Sequence, residues 1–344
     1  MPYIFDRTPL RTSMSPCIRL FLMRLLVLSA FILPAFGLYA QGEPQLTQYW
    51  AAPTLYNAAA TGDTDYVRIR GGAKLQWLGI HNAPQSFFGV ADSPFRLMGK
   101  RFGAGVSVSQ ESLGLFSNLL ISVQLSYRFR IFKGDLSIGV QPGYYSSKFK
   151  GTEVFIPDND DYHNPSDPAI PTQDMTGTSF DLSAGVRYSH KYFSFGVGGM
   201  HLMSPMINLQ TEGSQGADSQ EYQTELPRMI YFIGDSNIPL RNTLFELQPS
   251  FLVKTDFSMV TAELTLRATY NKFLTFGAGY RWKDAVSVMA GVNFKNFFLG
   301  YAYDYPLSAI AKASSGSHEL IAGYQLKLDF SGKNKNKHRS IRLM

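Results

Sequence analysis

From about residue 65 onward, apolar and polar side chains alternate with a period of two, and this limits the fold more than any other feature. Between Asn118 and Phe132, Ile121, Val123, Leu125, Tyr127, Phe129 and Ile131 fall on one face. Ser122, Gln124, Ser126, Arg128 and Arg130 fall on the other. Successive side chains of a strand point to opposite sides, so this is a strand with one apolar and one polar face. The pattern returns in about fourteen segments between turn signals, from 65–77 and 84–94 at the start to 296–305 and 317–330 at the end. An even number of roughly ten-residue strands of this kind describes an antiparallel transmembrane β-barrel. A soluble sandwich predicts shorter strands and more charge on the outer face.

Composition agrees. Charged residues are only 17% of the 344, against about 25% in ordinary soluble domains, and aromatic residues reach 14%. Mean hydropathy is −0.09, because outward apolar and inward polar residues cancel. The net charge of +6 belongs to the two ends, since residues 41–331 hold 23 Lys and Arg against 25 Asp and Glu. No basic stripe for nucleic acid is expected. Arg19 and Arg24 precede an apolar run from Leu25 to Leu33, then Pro34 and a small-residue stretch to Ala40. Residues 1–40 therefore read as a secretory signal peptide. Residues 41–64, with Tyr49, Trp50 and Tyr56, are expected as a periplasmic segment or a plug. Residues 65–330 form the barrel, and 331–344 form a basic periplasmic tail.

Connections alternate in length. Lys133-Gly134, Lys191, Asn271 and Asn296 mark tight turns, whereas 150–176 and 204–225 are long and polar. Short periplasmic turns and long outer loops are the rule for outer-membrane barrels, which puts both termini in the periplasm. Tyr144, Tyr188, Tyr270, Tyr280, Trp282, Tyr301 and Tyr305 cluster near strand ends, as interfacial girdles do.

No catalytic or metal-binding constellation emerges, and no cofactor is expected. Asp158-Asn159-Asp160-Asp161 fails the spacing of a calcium loop. The six histidines lack ligand spacing. Ser317, His318 and Glu319 are consecutive on a strand, so alternation keeps them from forming a triad. His318 is expected to hydrogen-bond in the lumen or to a loop, with Asp304 on the neighbouring strand as its partner. Arg128, Arg130, Arg187, Glu263 and Arg267 are expected to form a charge network inside the barrel.

Several stretches resemble one family. Gln45-Leu46-Thr47-Gln48-Tyr49-Trp50 with Leu55-Tyr56-Asn57 is similar to the mature N-terminal signature of the PorP/SprF family, outer-membrane barrels of the type IX secretion system in Bacteroidetes. Gln76-Trp77-Leu78-Gly79-Ile80 followed by Ala83-Pro84 resembles its first hairpin. Tyr303-Asp304-Tyr305 with Ser308, then Gly316-Ser317-His318-Glu319, resembles a motif near its end. The resemblance implies a non-enzymatic protein of the outer membrane that assists secretion or surface attachment of cargo or an adhesin, with a link to gliding motility. Its partners would be membrane lipid, the secretion machinery and peptidoglycan-associated periplasmic proteins. Family-motif or partner-contact candidates are Gln48, Tyr49, Asn57, Trp77, Pro84, Tyr303, Asp304, Ser308, His318 and Glu319. The competing reading is a passive or substrate-specific pore, which requires a continuous wet lumen.

Overall fold

The computed structural model describes residues 45–154, 171–211, 221–241 and 243–328. The expected signal peptide, the acidic loop at 158–161 and the basic tail lie outside these. Fourteen antiparallel strands close into a barrel: β1 (Tyr66–Leu75), β2 (Gln85–Leu97), β3 (Lys100–Leu113), β4 (Phe116–Ile131), β5 (Gly134–Phe149), β6 (Met175–Ser189), β7 (Phe193–Met200), β8 (Met229–Ser236), β9 (Phe245–Thr255), β10 (Val260–Tyr270), β11 (Leu274–Arg281), β12 (Ala285–Phe294), β13 (Phe297–Pro306) and β14 (Ser317–Lys327). Each strand pairs with the next, and β14 returns to β1 from Tyr66↔Lys327 to Leu75↔His318. Closure leaves no open edge, which a membrane requires because lipid offers no hydrogen bonds to the backbone.

The alternation read from sequence sets the two faces. Val106, Val108, Ile121, Val123, Leu125, Ile138, Val140, Leu264 and Leu266 are exposed on the outside. Their neighbours Ser107, Ser122, Gln124, Ser126, Gln141, Thr265 and Arg267 are buried inside. Outward rings gather near the strand ends: Phe95, Phe102, Tyr127 and Phe129 form a chain with centroids 5.1–5.8 Å apart. Phe297 meets Tyr324 at 5.0 Å, and Phe245 meets Tyr270 at 5.0 Å. Tyr280 and Trp282 do the same at the opposite end, 6.4 Å apart. Amphipathic rings favour the membrane–water boundary, where one edge stays wet.

The two ends of the barrel differ. Where β1 begins and β14 finishes, the connections are 98–99, 132–133, 190–192, 237–244, 271–273 and 295–296; we call this the turn end. At the other, loop end they are 76–84, 114–115, 150–174, 201–228, 256–259, 282–284 and 307–316. Met98-Gly99 and Phe132-Lys133 take positive φ at both positions, the backbone that lets a two-residue turn follow the strands' twist. The long 201–228 connection, of which 204–225 is expected to be long and polar, contains a hairpin of Met206–Thr211 against Glu221–Glu225. Ile207 and Leu209 bury themselves with Met175, Tyr145 and Leu226. Their alternation spans only six residues, too short to stand out from a polar background.

Candidate functional site

Residues 45–64 fold inside the barrel. Three short 3-10 turns, Tyr49–Ala51, Pro53–Leu55 and Ala58–Ala60, carry the segment along the lumen. Pro53 opens its turn at a position where a missing N–H costs nothing. Asn57 caps the last turn: its Oδ1 accepts from Ala59 N–H at 2.9 Å, and its Nδ2 donates to the Val186 carbonyl at 3.1 Å. Leu46, Tyr49 and Tyr56 bury their side chains against Phe88, Val90, Met200, Met229, Tyr231, Ile233, Leu252, Phe298 and Ile321 from the inner wall. A row of inward glycines lets the backbone come close. A Cβ on Gly198 would overlap the Tyr56 carbonyl oxygen, and one on Gly139 would overlap the Ala58 backbone.

A charged knot holds the plug toward the loop end. Lys74 Nζ donates to the Gln45 carbonyl at 2.8 Å, to Thr47 Oγ1 at 2.8 Å and to Asp304 Oδ2 at 2.9 Å. The Glu319 carboxylate accepts the backbone N–H of Thr47 at 2.6 Å and of Gln48 at 2.8 Å. Arg281 Nε donates to Glu263 at 3.0 Å, and Gln45 Nε2 donates to the same carboxylate at 2.8 Å. These groups come from β1, β10, β11, β13 and β14 and are buried. Buried charges persist only when paired and hydrogen-bonded, and here each carboxylate has a cation or two N–H donors.

A second knot secures the turn end. Asp63 faces Arg68 at 2.8 Å and Arg187 at 3.4 Å, while Asp92 binds Arg68 at 2.7 Å and the Gly62 N–H at 2.7 Å. Arg128 donates to the Gly62 carbonyl and Ser126 to the Thr61 carbonyl. Burial alone would raise the Asp63 carboxyl, but Arg68, then Arg187 and Arg128, outweigh it and hold it below its ordinary value. Burial pushes the Tyr49 phenol up to about 12, and its hydroxyl donates to Ser250 Oγ at 3.1 Å. A cavity of about 70 Å³ lies on the loop side, between Tyr56, Tyr145, His201 and Tyr231. On the turn side is a vestibule of about 600 Å³.

The structure divides the ten residues singled out from the motifs. Gln48, Tyr49 and Asn57 belong to the plug, and Asp304 and Glu319 grip it. Trp77, Pro84, Tyr303, Ser308 and His318 lie apart, near the loop end. Trp77 N–H bonds to Ser317 Oγ at 3.1 Å, the Pro84 carbonyl accepts from Gln76 at 2.9 Å, and Ser308 begins the 309–312 turn. The expected His318–Asp304 pairing is corrected. His318 stands opposite Tyr303, while Asp304 stands opposite Ser317, so the two project to opposite sides. His318 points outward, with Nδ1 2.6 Å from the Tyr301 hydroxyl and its ring 5.2 Å from that of Tyr303. Of the expected charge network, Arg187, Glu263, Arg267 and Arg128 face inward; Arg130 is exposed near the turn end. Lys74, Arg281, Gln45 and Thr47 were missed, although three cations on one face of β1, Arg68, Arg70 and Lys74, with no acid in the strand, call for partners.

A closed, antiparallel barrel with a lipid-facing apolar band and an internally folded N-terminal plug defines a membrane protein of the outer-membrane class. The chain belongs to the PorP/SprF family, described as "Type IX secretion system membrane protein PorP/SprF", which matches residues 38–324. No match was found among curated proteins. Among solved structures it is similar to the CymD monoaromatic hydrocarbon channel, at 11% identity and TM-score 0.50, covering 81% of this chain and 93% of that one. It is also similar to the Ralstonia pickettii toluene transporter TbuX (11%, TM-score 0.49, covering 81% and 94%). The Pseudomonas putida toluene transporter TodX follows, at 10% and TM-score 0.48, covering 85% and 99%. At such identity the likeness is one of fold alone.

Proposed function

We propose that this protein is a non-enzymatic, plugged barrel of the type IX secretion machinery that assists export or surface attachment of cargo and engages periplasmic components. The loops project outward, and the strand ends at Tyr66 and Lys327 face the periplasm. The observation that carries this reading is the plug. Its two charged knots and its apolar seat close the lumen with the chain's own residues, which disfavours a passive pore and leaves the rims to meet other proteins. The asymmetry of the connections supports the orientation, since outer-membrane barrels keep short turns on the periplasmic side. Gliding motility remains part of the proposal through the family alone.

The test has two arms. Deleting the gene should leave cargo in the cells or medium while other outer-membrane barrels stay at normal levels; unchanged cargo at the surface contradicts the role. Single cysteines at Ser308 and Asn271 should respectively react and fail to react with an impermeant maleimide on intact cells. The reverse pattern overturns the orientation.

A further inference from the structure

The vestibule at the turn end is lined by Arg68, Arg70, Arg267, Lys272 and Lys295, with Glu246 as its one carboxylate among the described residues. Arg68 is saturated by Asp63 and Asp92, and Glu246 accepts from Asn237 at 3.1 Å. Arg70 and Arg267 are different. Arg267 is only 6% exposed, yet its Nε has no acceptor; Arg70 bonds Gln325 at 3.3 Å through Nη2, leaving Nε and Nη1 without one. Both guanidinium groups are held in place by rings. Arg267 lies 3.8 Å above Trp50, Arg70 lies 5.3 Å from Phe298, and the two rings meet edge-on at 5.7 Å. Cation–aromatic contact fixes their planes but satisfies none of their N–H groups. The Trp50 indole N–H is likewise without an acceptor.

The cluster therefore carries positive charge, and Arg70 Nε and Nη1, Arg267 Nε and the Trp50 indole N–H have no acceptor within the protein. Buried N–H groups left this way are costly, and a guanidinium fork matches a carboxylate. A volume near 600 Å³ lies within the roughly 300–1,000 Å³ that accommodates a ligand of several functional groups, more than a lone ion needs. We propose that this vestibule is a docking site for an acidic peptide segment of a partner protein, its carboxylates received by Arg70 and Arg267. The orientation proposed above decides only that this partner is periplasmic; binding to the purified barrel is independent of it.

The full-length protein in detergent is titrated with dye-labelled hexaglutamate, followed by fluorescence anisotropy at low salt, with hexaglutamine as the uncharged match. Saturable binding of hexaglutamate alone is expected. Arg70→Gln with Arg267→Gln should weaken it at least tenfold, while Lys133→Gln with Lys191→Gln, at the same end but outside the vestibule, should leave it intact. Heat-modifiable gel migration checks that each variant is folded, and R70Q alone carries the test if R267Q is not. Equal binding by the double arginine variant overturns the proposal. So does displacement of the peptide by inorganic phosphate at matched ionic strength, which would mark a small-anion site.

Discussion

Lys74 touches both the plug and two wall carboxylates, Asp304 at 2.9 Å and Glu319 at 3.8 Å, and Arg281 shares Asp304 at 3.4 Å. Replacing Lys74 with Met removes the charge but keeps the volume, leaving Glu319 buried without its cation and Asp304 with Arg281 alone. Such one-sided losses cost about 3–5 kcal/mol. Lys74→Met should therefore lower the thermal unfolding midpoint in detergent clearly, and Lys74→Met with Asp304→Asn should recover part of it. Asp63 gives the second residue-scale expectation. Its carboxyl lies below the unfolded value of 3.8 in the folded protein. Its contribution is thus fully present above that pH and lost as pH falls through the lower folded value. The unfolding midpoint should drop on acidification below about pH 4, and Asp63→Asn should flatten that slope. At this scale the sequence was only half legible. Asp304 and Glu319 stood out by motif, but their partners Lys74, Thr47 and Gln48 lie more than two hundred residues away in the chain. No local pattern joins Glu263 to Gln45 or Glu319 to Thr47.

Among the elements, the strands were the legible part, because a period of two is imposed on every residue by the pleat. All fourteen expected segments have a counterpart; those expected at 84–94 and 296–305, for instance, are found at 85–97 and 297–306. The plug was harder to read, since its 3-10 turns have no amphipathic period of their own and take their shape from the wall. Its trace does exist in the wall. Met229, Tyr231 and Ile233 of β8 are apolar on the face that ought to be polar, because they meet Tyr56 and Leu46 instead of water. The inward glycines of β5 and β7 are a second trace. Gly198→Val would press a branched side chain on the Tyr56 carbonyl, and overpacking of this kind costs about 1–3 kcal/mol. The barrel should still show heat-modifiable migration while protease cuts within 45–64, and wild-type resistance in the variant would contradict the seating.

For the whole molecule, a closed wall and a seated plug predict silence. In planar bilayers the wild type should give no stable channel, whereas removal of residues 45–61 should produce long-lived openings. Steady wild-type conductance would favour the pore reading. The same arithmetic of faces explains why average hydropathy hid a membrane protein: a barrel with a polar inside and an apolar outside sums to nearly nothing.

Part of the grip on the plug comes from the chain's last strand. Glu319 on β14 receives the N–H groups of Thr47 and Gln48, while β14 itself zips onto β1. The earliest described residues meet β1, β10 and β13 as well, but these two backbone bonds wait for the final strand. A barrel closed around an unseated plug would therefore lack these two bonds at its seam. One carboxylate thus ties the two ends of the described chain together, and the seam and the seat of the plug share a residue.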